Sequence, residues 1–341
     1  MILKDEMLDS LLTELSKEQI VYVPKQVNGT TRFAPYVSSD KMKLDQVNTV
    51  MPPKDLLFPQ TQNMYHYGVE KNSGNMFIDP VIESADQILF GVRSCDMRSF
   101  DCLDAAFLTK GYIDEFYQAK RDRLTTIAIG CTEVSETCFC ESMGQDPNHA
   151  PQADIQLRHG EGGYNVTAQT EKGEALLEKF KPFCEEGEVE VADVHCTLNV
   201  DASNIKDNLD ILHESHELWD SMSYKCLNCG TCTFVCPTCY CFDIDQENRC
   251  KEGVRFRCWD SCMFSEYTAM AGGHNPRPEK RDRVRNRFMH KLNYFEDRYG
   301  KMLCVGCGRC IEKCPVSLDI TVLIDRANEL AQAEETEAAH A

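Results

Sequence analysis

The sequence lacks several features that would assign a function at once. It contains no run of about eighteen apolar residues, so we expect no membrane-spanning helix. It has 36 basic residues against 55 acidic ones and a formal charge of −19, and this shortage of positive charge argues against nucleic acid as a partner. No G-x-G-x-x-G loop, P-loop or Cys-x-x-Cys-His sequence is present. Without a flavin or nicotinamide motif, the chain is not expected to reduce a substrate by itself.

The N-terminal segment also lacks the signature of an export signal. Met1–Glu18 places leucines at three- and four-residue intervals among charged residues, which predicts an amphipathic helix and not an apolar signal. The cytoplasm is therefore the expected location, where thiols are kept reduced and a disulfide scaffold is disfavoured. Cysteines that group at short spacings in such a compartment indicate metal ligands.

Cysteine is the residue that the sequence has in excess, with 20 among 341 residues. The thiols are unevenly distributed, because seven precede residue 200 and thirteen lie between Cys226 and Cys314. We therefore predict an α/β domain over residues 1–205 and a cluster-binding domain over residues 206–330. Residues 331–341 are expected to form a polar, frayed tail.

Short runs rich in β-branched residues predict the strands of the α/β domain. Strands are expected at Ile20–Val23, Arg32–Val37, Ile88–Val92 and Leu124–Ile129, with a hairpin of Asp154–Arg158 and Tyr164–Thr167. Helices are expected at Met97–Leu108, Glu174–Phe180, Asn208–Trp219, Arg281–Tyr299 and Asp319–Gln332.

Two copies of the spacing C-x2-C-x2-C-x3-C-P form the strongest signal in the chain. They span Cys226–Pro237 and Cys304–Pro315. Three cysteines at two-residue gaps let one tight loop surround a 4Fe–4S cluster, and Gly230, Gly306 and Gly308 let the backbone approach it closely. Paired cysteines also hold structural zinc, but two complete repeats that each end in Cys-Pro favour iron–sulfur clusters.

The ligands of the two clusters are expected to cross between the motifs. In two-cluster ferredoxins the fourth cysteine of each motif binds the other cluster. The first cluster then takes Cys226, Cys229, Cys232 and Cys314, and the second takes Cys304, Cys307, Cys310 and Cys236. The segment between the motifs is too long for a plain loop, and its helical pattern predicts an α-helical two-cluster ferredoxin domain.

Four cysteines of the α/β domain suggest a further metal site. Cys95 and Cys131 each follow a predicted strand, and if those strands are neighbours, both thiols emerge at the same edge of the sheet. Cys138 and Cys140 lie on the loop just after Cys131. The four thiols could hold a third 4Fe–4S cluster, and the alternative is a set of ordinary buried cysteines.

Several stretches of the chain carry a family resemblance. They are Phe90–Asp96 (FGVRSCD), Thr137–Cys140 (TCFC), Cys236–Phe242 (CPTCYCF), Trp259–Cys262 (WDSC) and Ala271–Arg277 (AGGHNPR). These stretches resemble the iron–sulfur subunit of anaerobic sulfite reductase and the sulfhydrogenase beta subunit, and the resemblance extends from about residue 50 to 320. Ser94 departs from the family pattern, in which proline is expected.

The resemblance implies a function in electron transfer. It implies an iron–sulfur subunit of an anaerobic multi-subunit oxidoreductase, whose partners would be a flavin- and NAD(P)H-binding subunit plus a catalytic subunit. The catalytic subunit would be of the sulfite reductase or sulfhydrogenase kind. Two alternatives stay open: a subunit of a flavin oxidoreductase complex coupled to heterodisulfide reductase, and a free-standing ferredoxin-like carrier.

The remaining cysteines and one basic segment have less specific interpretations. Arg277–Lys291 is a solvated helix face, or a docking surface for an acidic partner subunit or for the helix ends around a cluster. For one group of cysteines, packing is favoured over a role as further ligands: Cys239, Cys241, Cys250, Cys258 and Cys262. Three more are expected to be ordinary core residues: Cys102, Cys184 and Cys196.

Overall fold

A computed structural model of the chain describes residues 1–38, 41–71, 73–82 and 85–340. Its strands are β1 Ile2–Lys4, β2 Ile20–Val27, β3 Thr30–Pro35, β4 Thr61–Val69, β5 Met76–Pro80, β6 Gln87–Val92, β7 Leu124–Ile129, β8 Ile155–Gly160, β9 Gly163–Ala168, β10 Cys184–Glu185, β11 Phe242–Arg249 and β12 Glu252–Trp259. Its helices are α1 Leu8–Leu15, α2 Ser94–Leu108, α3 Glu115–Asp122, α4 Glu171–Phe180, α5 Ile205–Ile211, α6 His216–Tyr224, α7 Thr231–Phe234, α8 Lys280–Met289, α9 Phe295–Tyr299, α10 Arg309–Glu312 and α11 Ile320–His340, and a π-helical turn at His290–Tyr294 joins α8 to α9.

An eight-stranded mixed sheet forms the N-terminal half, in the order β10-β1-β9-β8-β7-β6-β2-β3. Strands β2, β6, β7 and β8 pair in parallel, while antiparallel pairs extend the sheet on both sides. The central strands β6 and β7 are almost continuously buried because apolar clusters pack on both faces of the sheet. The predicted strands and the β8–β9 hairpin are confirmed.

Two of the predicted helices differ from the helices in the structure. The helix predicted over Met1–Glu18 is confirmed only over α1, which buries its leucines against the sheet. Ile2–Lys4 is instead strand β1, which pairs with β9 and β10. The single helix predicted at Asn208–Trp219 is instead divided into α5 and α6. The division falls at Ser215, whose side chain accepts a hydrogen bond from the Leu218 N–H and so caps the start of α6.

A second, four-stranded sheet joins distant parts of the sequence, in the order β11-β12-β4-β5. All of its pairs are antiparallel, and β12 lies between its hairpin partner β11 and strand β4 of the N-terminal half. The segment between the cysteine motifs is therefore β-structured over β11 and β12, where a largely helical insert was expected. Its other part is helical as predicted, over α8, the π-helical turn and α9. The boundary at residue 205 stays a prediction.

The C-terminal half has a helical core. Helices α5, α6, α8 and α11 pack around buried residues that include Trp219, Phe288 and Leu323. Helix α11 continues beyond the predicted end at Gln332 through His340, so its backbone is helical where a frayed tail was expected, and Ala341 lies outside the described residues. Within the described ranges, no helix is long and apolar enough to cross a membrane.

Candidate metal centres

The first cysteine motif surrounds a small cavity. Cys226 and Cys229 lie on the loop that follows α6, and Cys232 lies in α7. These three cysteines line the cavity together with Cys314, the last cysteine of the second motif. The four residues predicted to bind the first cluster therefore line one cavity. Cys229 is exposed, so this space lies close to the protein surface.

The second motif repeats this arrangement deeper in the protein. Burial raises the pKa of the Cys304 and Cys307 thiols to about 12, and it also raises the pKa of Cys310. Cys236 of the first motif interacts electrostatically with all three of these thiols. Helices α7 and α10, which follow the two cysteine loops, contact each other. The crossed set predicted for the second cluster is therefore also brought together.

The four N-terminal cysteines converge on one buried cavity. Cys95 lies in the first turn of α2, which follows β6, and Cys131 follows β7. Because β6 and β7 are adjacent parallel strands, their carboxyl ends meet at the same edge of the sheet, as predicted. Cys138 and Cys140 complete the cysteine lining, and Cys307 of the second motif lines the same cavity. This N-terminal site and the second set therefore share a wall.

Arg93 holds the loops around the N-terminal site. Its buried guanidinium donates hydrogen bonds to the Ile129 and Gly130 carbonyls after β7 and to the Leu44 and Gln46 carbonyls. An arginine can satisfy several acceptors at once because its donors point in fixed directions. One side chain therefore ties the backbone just before Cys131 to the 44–46 segment.

A buried ion pair connects the N-terminal site to the second motif. The Arg309 guanidinium donates to both carboxylate oxygens of Asp96, at 2.7 and 2.8 Å, and to the Thr49 carbonyl at 2.6 Å. Arg309 lies between Cys307 and Cys310, and Asp96 follows Cys95 directly. The pair therefore fixes the position of one cysteine loop relative to the other.

The segment between the two motifs contains three buried cations, two of which lie beside cysteine sulfurs. Arg283, Arg287 and Lys291 recur at four-residue intervals on one helix face, and all three are buried. Their burial shows that a solvated face and a docking surface for a partner subunit are wrong for these three residues. Although burial opposes its charge, the Cys232 and Cys310 sulfurs hold the pKa of Arg287 well above its usual value. A cluster with four thiolate ligands is negatively charged, so these cations fit the predicted group.

A glycine allows the second motif to contact the loop of the N-terminal site. Gly306 has a φ of +64°, and a Cβ added there would stand 2.5 Å from the Cys140 Cα. The Gly306 carbonyl also accepts a hydrogen bond from the Phe139 N–H at 2.9 Å. Any side chain at this position would therefore push the two cysteine loops apart.

We expect Gly306→Ala to lower the free energy of unfolding by about 1–3 kcal/mol more than a glycine replacement at an open site, because it adds overpacking to backbone strain. Gly300→Ala is the matched control, since its φ is +69° and no atom lies within 4 Å of the added Cβ. Urea unfolding of both variants under anaerobic conditions measures the difference. Equal losses in the two variants would show that the close approach is unimportant.

The structure places the remaining cysteines in different surroundings. Cys250 is exposed in the turn between β11 and β12, and Cys258 is half-buried on β12. Cys239 lies beside Cys236, and the interaction with Cys262 lowers the pKa of Cys241 to about 6. Packing stays the prediction for this group.

The three cysteines predicted to be core residues also differ from one another. Cys102 is buried, and its thiol donates to the Met302 carbonyl at 3.7 Å, while Cys184 is half-buried on β10. Cys196 is buried too, but its Sγ lies 3.6 Å from the Cys140 Sγ. The sequence contains no local motif around Cys196, so only the folded chain reveals a fifth thiol beside the N-terminal site.

The donor sets consist of cysteines, the residues that hold 4Fe–4S clusters. Among residues 1–38, 41–71, 73–82 and 85–340, no three His, Cys, Asp or Glu side chains are arranged to hold a single metal ion. The cavity at the first motif is lined by four cysteines, and the cavity at the N-terminal site is lined by the four N-terminal cysteines together with Cys307. Thiolates that bind separate irons of a cluster stand farther apart than the ligands of one ion.

Comparison with known proteins agrees with this chemistry. Residues 225–318, which contain both cysteine motifs, match the family model of a 4Fe-4S dicluster domain. The fold and the cysteine sites thus define an iron–sulfur protein of electron transfer. The chain is also 33% identical to the Sulfhydrogenase 2 subunit beta of Pyrococcus furiosus, over 96% of this chain and 98% of that protein. The chain therefore belongs to the sulfhydrogenase beta subunit family. No solved structure matches it.

Proposed function

We propose that the chain is the iron–sulfur electron-transfer subunit of an anaerobic multi-subunit oxidoreductase. It would connect a flavin- and NAD(P)H-binding subunit with a catalytic subunit of the sulfite reductase or sulfhydrogenase type. The proposed location of the complex is the cytoplasm. Three 4Fe–4S clusters would be held, the first by Cys226, Cys229, Cys232 and Cys314, the second by Cys304, Cys307, Cys310 and Cys236, and the third by Cys95, Cys131, Cys138 and Cys140.

The observation that carries this proposal is the contact between neighbouring cysteine sets. Clusters of this kind exchange single electrons. Cys307 belongs to the second set and also lines the cavity of the third. Cys314 of the second motif lines the cavity of the first set, and Cys236 of the first motif lies near Cys307 of the second set. The three sets are therefore adjacent in one chain, an arrangement suited to passing electrons in sequence.

The protein surroundings support the same role. Cys95, Cys138 and Cys140 are buried and Cys131 is half-buried, so the third set lies largely inside the protein. The first set includes the exposed Cys229, which would allow exchange with a partner. The relative from Pyrococcus furiosus is named as a subunit, which supports a place in a complex for this chain as well.

Counting iron and acid-labile sulfide in the anaerobically purified protein tests the number of clusters. We expect about twelve irons per chain, with an equal amount of sulfide, and a fall to about eight in the Cys138→Ser/Cys140→Ser double variant. Cys102→Ser is the control, since Cys102 is buried outside the three sets and should leave the count unchanged. About eight irons in the wild type would contradict the N-terminal cluster.

Two further results would contradict the wider proposal. A colourless protein that holds zinc would remove the electron-transfer function altogether. A monomer from the native source that reduces unrelated acceptors at equal rates would favour a free-standing carrier over a subunit.

A further inference from the structure

We infer that Cys196 is a fifth thiol of the N-terminal site, where its S–H donates a hydrogen bond to the Cys140 sulfur and tunes the potential of the group that Cys140 binds. The Sγ atoms of Cys196 and Cys140 are 3.6 Å apart, within hydrogen-bond distance for sulfur. Cys138, Cys140 and Cys196 form one buried cluster. The inference rests on the proposed N-terminal cluster.

Hydrogen bonds of the 194–196 segment hold Cys196 in this position. Its backbone N–H donates to the Glu141 carboxylate, and the neighbouring His195 ring contacts the other carboxylate oxygen at 2.8 Å. Because Glu141 directly follows Cys140, one carboxylate ties the two thiol-bearing segments together. The Asn148 side chain pairs with the backbone N–H and carbonyl of Val194, each at 3.0 Å. These hydrogen bonds therefore hold the Cys196 thiol beside the Cys140 thiol.

The geometry favours a donor role for Cys196 over that of a ligand. Beside Cys307 of the second set, the cavity is lined by Cys95, Cys131, Cys138 and Cys140, and four is the number of thiolates that a four-iron cluster takes. Cys196 contacts Cys140 from outside that lining. A neutral thiol is a weak donor, and a ligating thiolate is a good acceptor. Cys196 is thus a positioning residue that acts through Cys140.

Such a hydrogen bond has a defined electrostatic effect. Reduction adds a negative charge to the cluster and its thiolates, so a donor to a ligating sulfur stabilises the reduced state more than the oxidised one. Removing the donor should therefore make the cluster harder to reduce. An ordinary core cysteine, such as Cys102 with its thiol on the Met302 carbonyl, would have no such effect.

The test is a redox titration of the full chain followed by electron paramagnetic resonance. The signal of the N-terminal cluster is the one that disappears in the Cys138→Ser/Cys140→Ser variant. At the wild-type midpoint, Cys196→Ala should lower the ratio of reduced to oxidised cluster by about three- to tenfold with the iron content unchanged. Cys196→Ser keeps an O–H donor and should restore most of the ratio, and Cys102→Ala should not change it.

Each other outcome overturns a distinct statement. An unchanged midpoint in a Cys196→Ala protein with about twelve irons would overturn the donor role alone. Loss of about four irons in Cys196→Ala, with Cys196→Ser equally depleted, would overturn it in favour of direct ligation. About eight irons in the wild type would overturn the N-terminal cluster itself, and the inference with it. If the alanine variant does not fold, the serine variant serves as the test. A Cys196→Ser protein with full iron content that does not keep the wild-type ratio of reduced to oxidised cluster would also contradict the inference.

Discussion

Arg309→Met is expected to lower the free energy of unfolding by about 3–5 kcal/mol, because it leaves the Asp96 carboxylate buried without its partner. Both side chains are only 1% exposed, so water cannot replace the lost contacts. The guanidinium also donates to the Thr49 carbonyl, which would lose its donor. Urea unfolding of the anaerobically prepared protein, followed by circular dichroism, measures the loss.

The position of this pair adds a second expectation. Asp96 lies beside Cys95, and Arg309 lies inside the second motif, so the variant should also loosen the contact between these two loops. The iron of the N-terminal site and of the second motif should therefore be lost at lower urea concentration than the iron of the first motif. Simultaneous loss from all sites would argue against a local role for the pair.

An exposed ion pair provides the control. Arg123 and Asp86 lie 3.1 Å apart, with side chains that are 49% and 57% exposed. Arg123→Met should cost less than about 1 kcal/mol, because water solvates both charges when the pair is broken. In addition, Arg309→Met combined with Asp96→Asn should cost less than the sum of the single variants. A cost for Arg309→Met as small as that for Arg123→Met would contradict the importance of burial.

The sequence predicted those site residues whose proximity is local or follows from strand order. Three cysteines of each motif share one loop, and the ferredoxin rule supplied the fourth from the other motif. Cys95 and Cys131 are distant in sequence, but both follow strands rich in apolar residues that are parallel neighbours in the fold. These inferences needed only spacing and the direction of two strands.

The remaining features depend on contacts between residues that are far apart in the sequence, or on strands that lack the usual apolar pattern. Strand β11 carries mostly acidic and polar residues and lies exposed at the edge of its sheet, so it lacks the apolar alternation by which strands are recognised. It is held there by β12, which itself pairs with β4 of the N-terminal half. Cys196 reaches Cys140 only through the folded 194–196 segment. No local pattern encodes either contact.

The basic run shows that a charged helix face does not by itself predict exposure to solvent. Arg283, Arg287 and Lys291 are four residues apart, which places them on one face of a helix. Charged faces are usually solvated, and so a surface role was expected. Here that face is buried, and Arg287 and Lys291 lie beside cysteine sulfurs, where positive charge would compensate the negative charge of a cluster. Helical spacing of arginine and lysine between two cluster motifs is thus a usable signal for an internal role.

Lys291→Met is expected to lower the reduction potential of the second cluster by on the order of 60 mV, which corresponds to about 1.4 kcal/mol for one electron. The Lys291 ammonium is buried and donates to the Thr238 hydroxyl at 2.6 Å. Although burial disfavours its charge, the Cys236 and Cys239 sulfurs hold the pKa of Lys291 well above its usual value, so it is positively charged at neutral pH.

The sign of this shift follows from the charge that reduction adds. A fixed cation beside Cys236 and Cys304 stabilises the more negative, reduced state, so its removal makes reduction less favourable. Lys291→Arg keeps the charge and should retain most of the potential, whereas Lys17→Met, at an exposed position just after α1, should leave it unchanged. A redox titration of the three variants measures the midpoints. An unchanged midpoint in Lys291→Met, with full iron content, would mean that this buried charge serves only to stabilise the fold.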